Sequence, residues 1–140
     1  MGAIETMQAF NEAVNAQQWD RVAGFLTDDF VFSGVTPQPT GKQGFIDGQK
    51  AWFAGVPDWH LTPENLREEN GAVKADTRIT GTHTGVLALP GMPSIPPTGK
   101  SFMTLDRATA TLRGDQVASI TVEPGSPGIM EQLGIPRPTA

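Results

Sequence analysis

Three side chains in this sequence have the chemistry to move a proton and a setting that is not plainly surface: Asp106, His83 and His60. Asp106 lies in "FMTLDRATATL", where alternation places Phe102, Thr104, Asp106, Ala108 and Ala110 on one face and Met103, Leu105, Arg107 and Thr109 on the other. Periodicity alone does not say which face is inside. On the wet face Asp106 is a solvated aspartate paired with an arginine. On the inner face apolar walls disfavour the charged carboxylate, which suits a general acid or base near neutral pH. His83 shares the apolar side of its strand with Val73, Ala75 and Ile79 and stands between two glycines in "GTHTG". Its imidazole either shuttles a proton or orients a carbonyl, or it donates a ring hydrogen to a backbone carbonyl and pins the following segment. His60, in "PDWH", begins a strand beside Trp59 and faces either a pocket mouth or solvent. Glu123 alternates with Ile120 and Val122 and is expected to point outward.

These residues need elements to position them. Ile4, Met7, Phe10 and Val14 recur at helical spacing and predict an amphipathic helix over residues 3–16. "NAQQWDRVAGFLTDDF" predicts a turn and a second short helix, with Asp20 as N-cap and Val22, Phe25 and Leu26 buried. "DDFVFSG" reads as a short strand, and a third helix is expected over Lys42 to Ala54, with Phe45, Ile46, Gln49, Trp52 and Phe53 on one side. From Trp59 the period changes to two. "WHLTPENLREEN" runs to Asn70-Gly71, a hairpin signal, and "AVKADTRITGTHTG" returns from it. Strands over Phe102 to Leu112 and Gln116 to Val122 and a helical turn, "GIMEQLG", complete the chain. Helices followed by mainly antiparallel strands predict an α+β domain, a curved sheet with helices on one face and a pocket at its open end. Phe10, Phe25, Phe32, Trp52 and Phe53 read as core or pocket wall.

Between the third and fourth strands lies "GTHTGVLALPGMPSIPPTGK", residues 81–100. Val86, Leu87, Leu89, Met92 and Ile95 are too apolar for an ordinary exposed loop, and Pro90, Pro93, Pro96 and Pro97 stiffen the backbone. We read residues 84–98 as a semi-rigid apolar strap over the pocket mouth, or as a surface for a second subunit. The strap and the convex side of the sheet together predict a homodimer.

With 140 residues the chain is expected to form one domain, residues 1–140. It has 0 cysteines, which excludes disulfides, thiolate metal ligands and a cysteine nucleophile. Its 2 histidines are too few for a histidine-rich metal site. A net charge of −5 argues against nucleic acid as partner. No apolar run is long enough to span a membrane, and the N-terminus does not read as a secretion signal, so the cytoplasm is the expected address. No phosphate loop, "GxSxG" or dinucleotide fingerprint occurs.

"GTHTG", "IPPTGKSF" and "QLG", with "VPDWH" upstream, resemble the SnoaL-like polyketide cyclases (ester cyclases) of the nuclear transport factor 2-like superfamily. The resemblance covers nearly the whole chain in the same order of elements. It implies a cone-shaped, cystatin-like α+β fold enclosing a deep apolar pocket, no metal and no organic cofactor, and acid–base catalysis of an intramolecular aldol ring closure. Laid without gaps from "PPTGKSF" to "QLG", it puts the cyclases' pocket glutamine at Asp106 and the neighbouring histidine at Ala108. Their essential aspartate falls at Val122, or at Gly125 for members with a "DxxG" aspartate, and their first-strand asparagine at Phe32. The chain has 0 tyrosines, so it lacks the tyrosine donor of the superfamily's ketosteroid isomerases.

The expectation is cofactor-free acid–base chemistry (cyclisation, isomerisation or dehydration) on a hydrophobic, carbonyl-bearing small molecule. Asp106 is the expected proton-transfer group and His83 the second catalytic candidate. Phe32, Trp52, Trp59, His60, Leu87, Met92, Ala108 and Val122 are the expected substrate contacts. The rivals are a carrier that binds without reaction and an enzyme that works by folding its substrate.

Overall fold

Each helix buries the apolar side that its spacing marks out. In the computed structural model, which describes residues 2–35, 38–89 and 93–135, α1 (Ala3–Asn15) buries Met7, Phe10, Ala13 and Val14. α2 spans Trp19–Phe25 and buries Val22. It starts earlier than expected: Gln18 occupies the N-cap position and Asp20 lies in the first turn, where a carboxylate complements the positive end of the helix dipole. α3 (Lys42–Gly55) buries Phe45, Ile46, Gln49 and Phe53. The strands are β1 (Leu26–Ser33), β2 (His60–Glu69), β3 (Ala72–Thr82), β4 (Ser101–Arg113) and β5 (Gln116–Glu123), and α4 is Ile129–Leu133.

The strands form one sheet in the order β1-β5-β4-β3-β2, so β4 is central. β2–β3, β3–β4 and β4–β5 are antiparallel, while β1 joins β5 in parallel. The β2–β3 turn is built as the sequence predicts: Asn70 and Gly71 have φ of 53° and 80°, the positive pair that a tight hairpin turn demands. The core lies on the sheet's inner face. There Phe45 is stacked on Phe10 at 5.9 Å and edged by Phe30 at 5.6 Å and Phe32 at 5.0 Å.

Two side-chain amides do the work of missing strands. β5 pairs with β4 only from Arg107 onward, so the first half of β4 is unpaired on that side. Gln132 of α4 fills the gap: its Oε1 accepts the Met103 N–H at 3.1 Å and its Nε2 donates to the Met103 carbonyl at 2.9 Å. Asn15, the last residue of α1, treats β2 alike. Its Nδ2 donates to the Leu61 carbonyl at 2.8 Å and its Oδ1 accepts the Leu61 N–H at 2.9 Å. At the far end Arg113 grips Asp29 with two bonds of 3.1 Å, tying the β4–β5 hairpin to β1. These hydrogen bonds hold the Asp29 carboxyl below the usual carboxylate range.

The 84–98 strap is a bent-back segment. Leu87 and Ile95 exchange backbone hydrogen bonds of 3.0 and 2.8 Å, and the Gly85 N–H reaches the Gly55 carbonyl at 2.9 Å. Leu87 is fully buried against Gly55. Pro90 and Met92 lie outside the described residues. Among the described residues no helix is long and apolar enough to cross a membrane.

The Asn15 amide should be a fold-stability element. Asn15→Ala leaves both Leu61 backbone groups without their partner, an expected loss of about 1–3 kcal/mol. It is read as a lower urea midpoint; a midpoint equal to that of the unmutated protein would refute the account.

Candidate functional site

The pleat of β4 settles which face Asp106 takes. Phe102, Thr104, Asp106 and Ala110 are buried, while Met103, Leu105 and Arg107 are exposed. Asp106 is therefore an inner-face residue, only 7% exposed. Its Oδ1 accepts two hydrogen bonds: from the Thr104 hydroxyl at 3.1 Å and from the Gly125 N–H at 2.8 Å. Among the described residues no donor reaches Oδ2. One oxygen fixes the carboxylate and the other is left as an uncommitted acceptor.

Gly125 reaches Asp106 because β5 stops short. Pro124 follows the last residue of β5, Glu123, and the chain crosses beside β4, bringing Gly125 against the Leu105 carbonyl and the Thr104 hydroxyl. A Cβ at this position would collide with that carbonyl oxygen, so the close approach requires glycine.

His83 also lies inward and is fully buried. Its backbone ties the two ends of the strap together: its N–H donates to Lys100 O at 2.9 Å and its carbonyl accepts from the Gly99 N–H at 2.8 Å. The ring departs from expectation. Instead of donating to a backbone carbonyl, Nδ1 accepts the Thr98 N–H at 3.3 Å and lies 3.0 Å from the Thr98 hydroxyl. That bond assigns the ring hydrogen of a neutral His83 to Nε2, which is buried without a partner among the described residues. The flanking glycines have a steric reason. A Cβ on Gly81 would press into Val56 and Phe102, and one on Gly85 into the Ala54 carbonyl.

The structure does not bring the two expected catalytic groups together. Asp106 is level with Thr77 of β3, and His83 lies six residues farther along that strand, roughly 20 Å away. His83 and Asp106 therefore do not converge on one reacting atom, and the contacts of His83 are to the base of the strap. His60 is likewise displaced. It is exposed and level with Thr80, which is level with the outward Met103, so it belongs to the outer face.

Other expected contacts divide into two groups. Ala108 and Val122 are opposite each other across β4 and β5, and Phe32 is level with Ile120 next along. All three are half-buried inner-face residues, clustered beside Asp106. Trp52 and Trp59 stack at 4.6 Å with 13° between their planes, and the Trp59 indole N–H donates to Gln49 Oε1 at 3.2 Å. Trp59 is buried beside Phe102, and Leu87 lies at the end of α3, so these belong to the His83 end. Met92 falls outside the described residues. Sequence reasoning missed Thr104, Gly125, Gln49 and Thr98 as polar partners. Only Thr104 carried a signal, its same-face spacing from Asp106.

Two cavities are outlined by the described residues. One, of about 440 Å³, lies outside the sheet between Asp76, Leu105, Arg107, Glu123, Pro124 and Gly125. The other, of about 310 Å³, lies between α1 and β2, lined by Gln8, Asn11, Glu12, Asn15, Pro63 and Leu66. Neither is the apolar chamber under the strap. Among the described residues no three His, Cys, Asp or Glu gather as a metal site would require.

The profile of the SnoaL-like polyketide cyclase family matches residues 4–133. The chain belongs to that family. A SnoaL-like polyketide cyclase from Agrobacterium tumefaciens is 18% identical, covering 96% of this chain and 100% of that one, with a TM-score of 0.74. A candidate SnoaL-like polyketide cyclase from Jannaschia is 22% identical, covers 96% and 92%, and has a TM-score of 0.77. An uncharacterized cystatin-fold protein from Novosphingobium aromaticivorans is 25% identical, with 87% and 97% covered and a TM-score of 0.62. No curated protein matches the chain. The neighbours bear out the cystatin-like α+β fold, with β1 as its single parallel pairing.

Within this SnoaL-like frame the register has a chemical meaning. The resemblance places the cyclases' histidine and aspartate at Ala108 and Val122, which are direct cross-strand neighbours. Asp106, two residues along, is the carboxylate left on that part of the inner face.

The His83 tautomer is directly measurable. Nitrogen-15 NMR of the neutral ring should show Nδ1 unprotonated and Nε2 bearing the hydrogen; the reverse assignment contradicts the Thr98 bond.

Proposed function

We propose that this SnoaL-like protein catalyses cofactor-independent acid–base chemistry on a hydrophobic, carbonyl-bearing small molecule such as a polyketide. The observation that supports it is the state of Asp106: buried, held through Oδ1 by Thr104 and Gly125, with Oδ2 uncommitted. Oδ2 takes a proton from a carbon next to the substrate carbonyl, and the electron pair left behind delocalises onto the carbonyl oxygen. The enolate then attacks a second carbonyl, picks up the proton at another carbon, or expels hydroxide. The proton returned from Asp106 balances the cyclisation, isomerisation or dehydration. Phe32, Ala108 and Val122 supply an apolar wall that keeps water from competing. Phe32, Ala108 and Val122 are only partly covered, which leaves this wall accessible to a substrate.

One observation favours a second reading. With Ala108 opposite Val122, the site has apolar side chains where the resemblance places an acid–base pair. A carrier, or an enzyme that chiefly folds its substrate into a reactive shape, needs no more than that.

Mass spectrometry of small molecules that co-purify with the protein identifies the ligand for turnover assays. Asp106→Asn retains an acceptor for the Gly125 N–H and should keep fold and ligand affinity. Its turnover should fall by about 100-fold or more. Binding without any turnover by the unmutated protein selects the carrier, and full turnover by Asp106→Asn selects substrate folding.

A further inference from the structure

Gln49 is an amide set among aromatic rings, on the inward side of α3 and only 9% exposed. Its oxygen has a fixed partner: the Trp59 indole N–H donates to Oε1 at 3.2 Å. An indole can only donate, so the amide oxygen must face it and the NH2 group is turned away. Among the described residues no acceptor reaches Nε2. Buried donors in native proteins are nearly always paired, so this one calls for a partner from outside the chain.

The surroundings suit a flat molecule. Trp52, one turn farther along α3, is half-buried and stacks on Trp59 at 4.6 Å with 13° between the rings. Gly48 and Gly55, two turns apart, lie on one flank of the same helix. Leu87 of the strap packs on Gly55, whereas a Cβ on Gly48 would meet nothing within 4 Å. Among the described residues, then, the strap covers the end of this flank and leaves the stretch at Gly48 open. Phe45 and Trp52 border that stretch at helical spacing, and both also neighbour Gln49.

We propose that Gln49 selects the ligand by its oxygen: a flat, hydrophobic molecule lies against Trp52 and accepts the Gln49 Nε2–H through a carbonyl or hydroxyl oxygen. This deepens the functional reading above and rests on it for the class of ligand. It also adds a length. Trp59 packs on Phe102 at 6.0 Å, and Phe102 and Asp106 are four residues apart on the inner face of β4, about 13 Å. A ligand that reaches Asp106 and Gln49 together is on the order of 10 Å long, the size of a two- or three-ring compound. Its acceptor oxygen lies at the end away from the reacting carbon. Apolar rings exclude competing water there, so one fixed donor rejects an analogue that lacks the oxygen.

Two probes of nearly equal shape test this by equilibrium dialysis against the full chain. 2-Acetylnaphthalene has an acceptor oxygen and 2-isopropenylnaphthalene has none. The unmutated protein should prefer the ketone by about 10-fold or more. Gln49→Met should abolish that preference and still bind the hydrocarbon. If Gln49 served only to hold Trp59, both probes would weaken equally and the ratio would not move. A second variant works on the space and not on the amide. Gly48→Leu replaces glycine with a better helix former, so it should not lower the melting temperature, yet both probes should bind about 10-fold more weakly. Binding of neither probe by the unmutated protein, equal affinities for the two, or affinities unmoved by Gly48→Leu overturns the proposal. So does a preference that survives Gln49→Met and disappears in Asp106→Asn, which places the oxygen at Asp106 instead. None of these measurements involves turnover. A ketone preference in a protein that turns nothing over therefore overturns the acid–base reading and leaves the role of Gln49 standing.

Discussion

A β-strand sends successive side chains to opposite sides of its sheet, and in this protein the central strand makes that alternation decide almost everything. Phe102, Thr104, Asp106 and Ala110 go inward, while Met103, Leu105 and Arg107 go outward. One residue of slip would put the carboxylate in water and the methionine and leucine in the core. The slip is prevented from several directions. β3 pairs along β4 from Ala72 to Thr82. The Gln132 amide locks Met103 where β5 is missing, and the Gly125 N–H fastens on Asp106 itself. The same bonds that hold the sheet in register thus aim its buried carboxylate, Asp106.

The inner face beside Asp106 is apolar: Ala108, Val122 and Phe32, where the resemblance would put an acid–base pair and an asparagine. Their register makes them a connected apolar surface beside Asp106. In such surroundings a hydrogen-bond donor is worth more than it is in water, because no solvent competes for the acceptor. The two donors on Oδ1 therefore matter out of proportion to their number. They leave Oδ2 without a donor among the described residues.

At the other end of β3 the "GTHTG" segment serves architecture. His83 ties Thr98, Gly99 and Lys100 to the strand end, closing the strap into a loop with a fixed base. Among the described residues its buried Nε2–H has no partner, a cost of about 1–3 kcal/mol. The prolines of the strap lower the entropy lost on ordering it, and Leu87 buries its side chain at the end of α3, both of which offset that cost.

Local patterns fixed the elements of this chain: the helical spacing of Met7, Phe10 and Val14, the alternation along β4, and the Asn70-Gly71 turn were all legible before any coordinates. The resemblance supplied the fold class, since motifs at matching separations require the same order of elements. Pairings between residues distant in sequence were not legible. Nothing local announces that Gly125 will donate to Asp106, that Asn15 will substitute for a strand beside Leu61, or that β1 will lie parallel to β5. The choice of face for Asp106 and His60, and the roughly 20 Å between Asp106 and His83, belong to the same class. A strand's period says which residues share a side; only packing the helices onto the sheet says which side is dry.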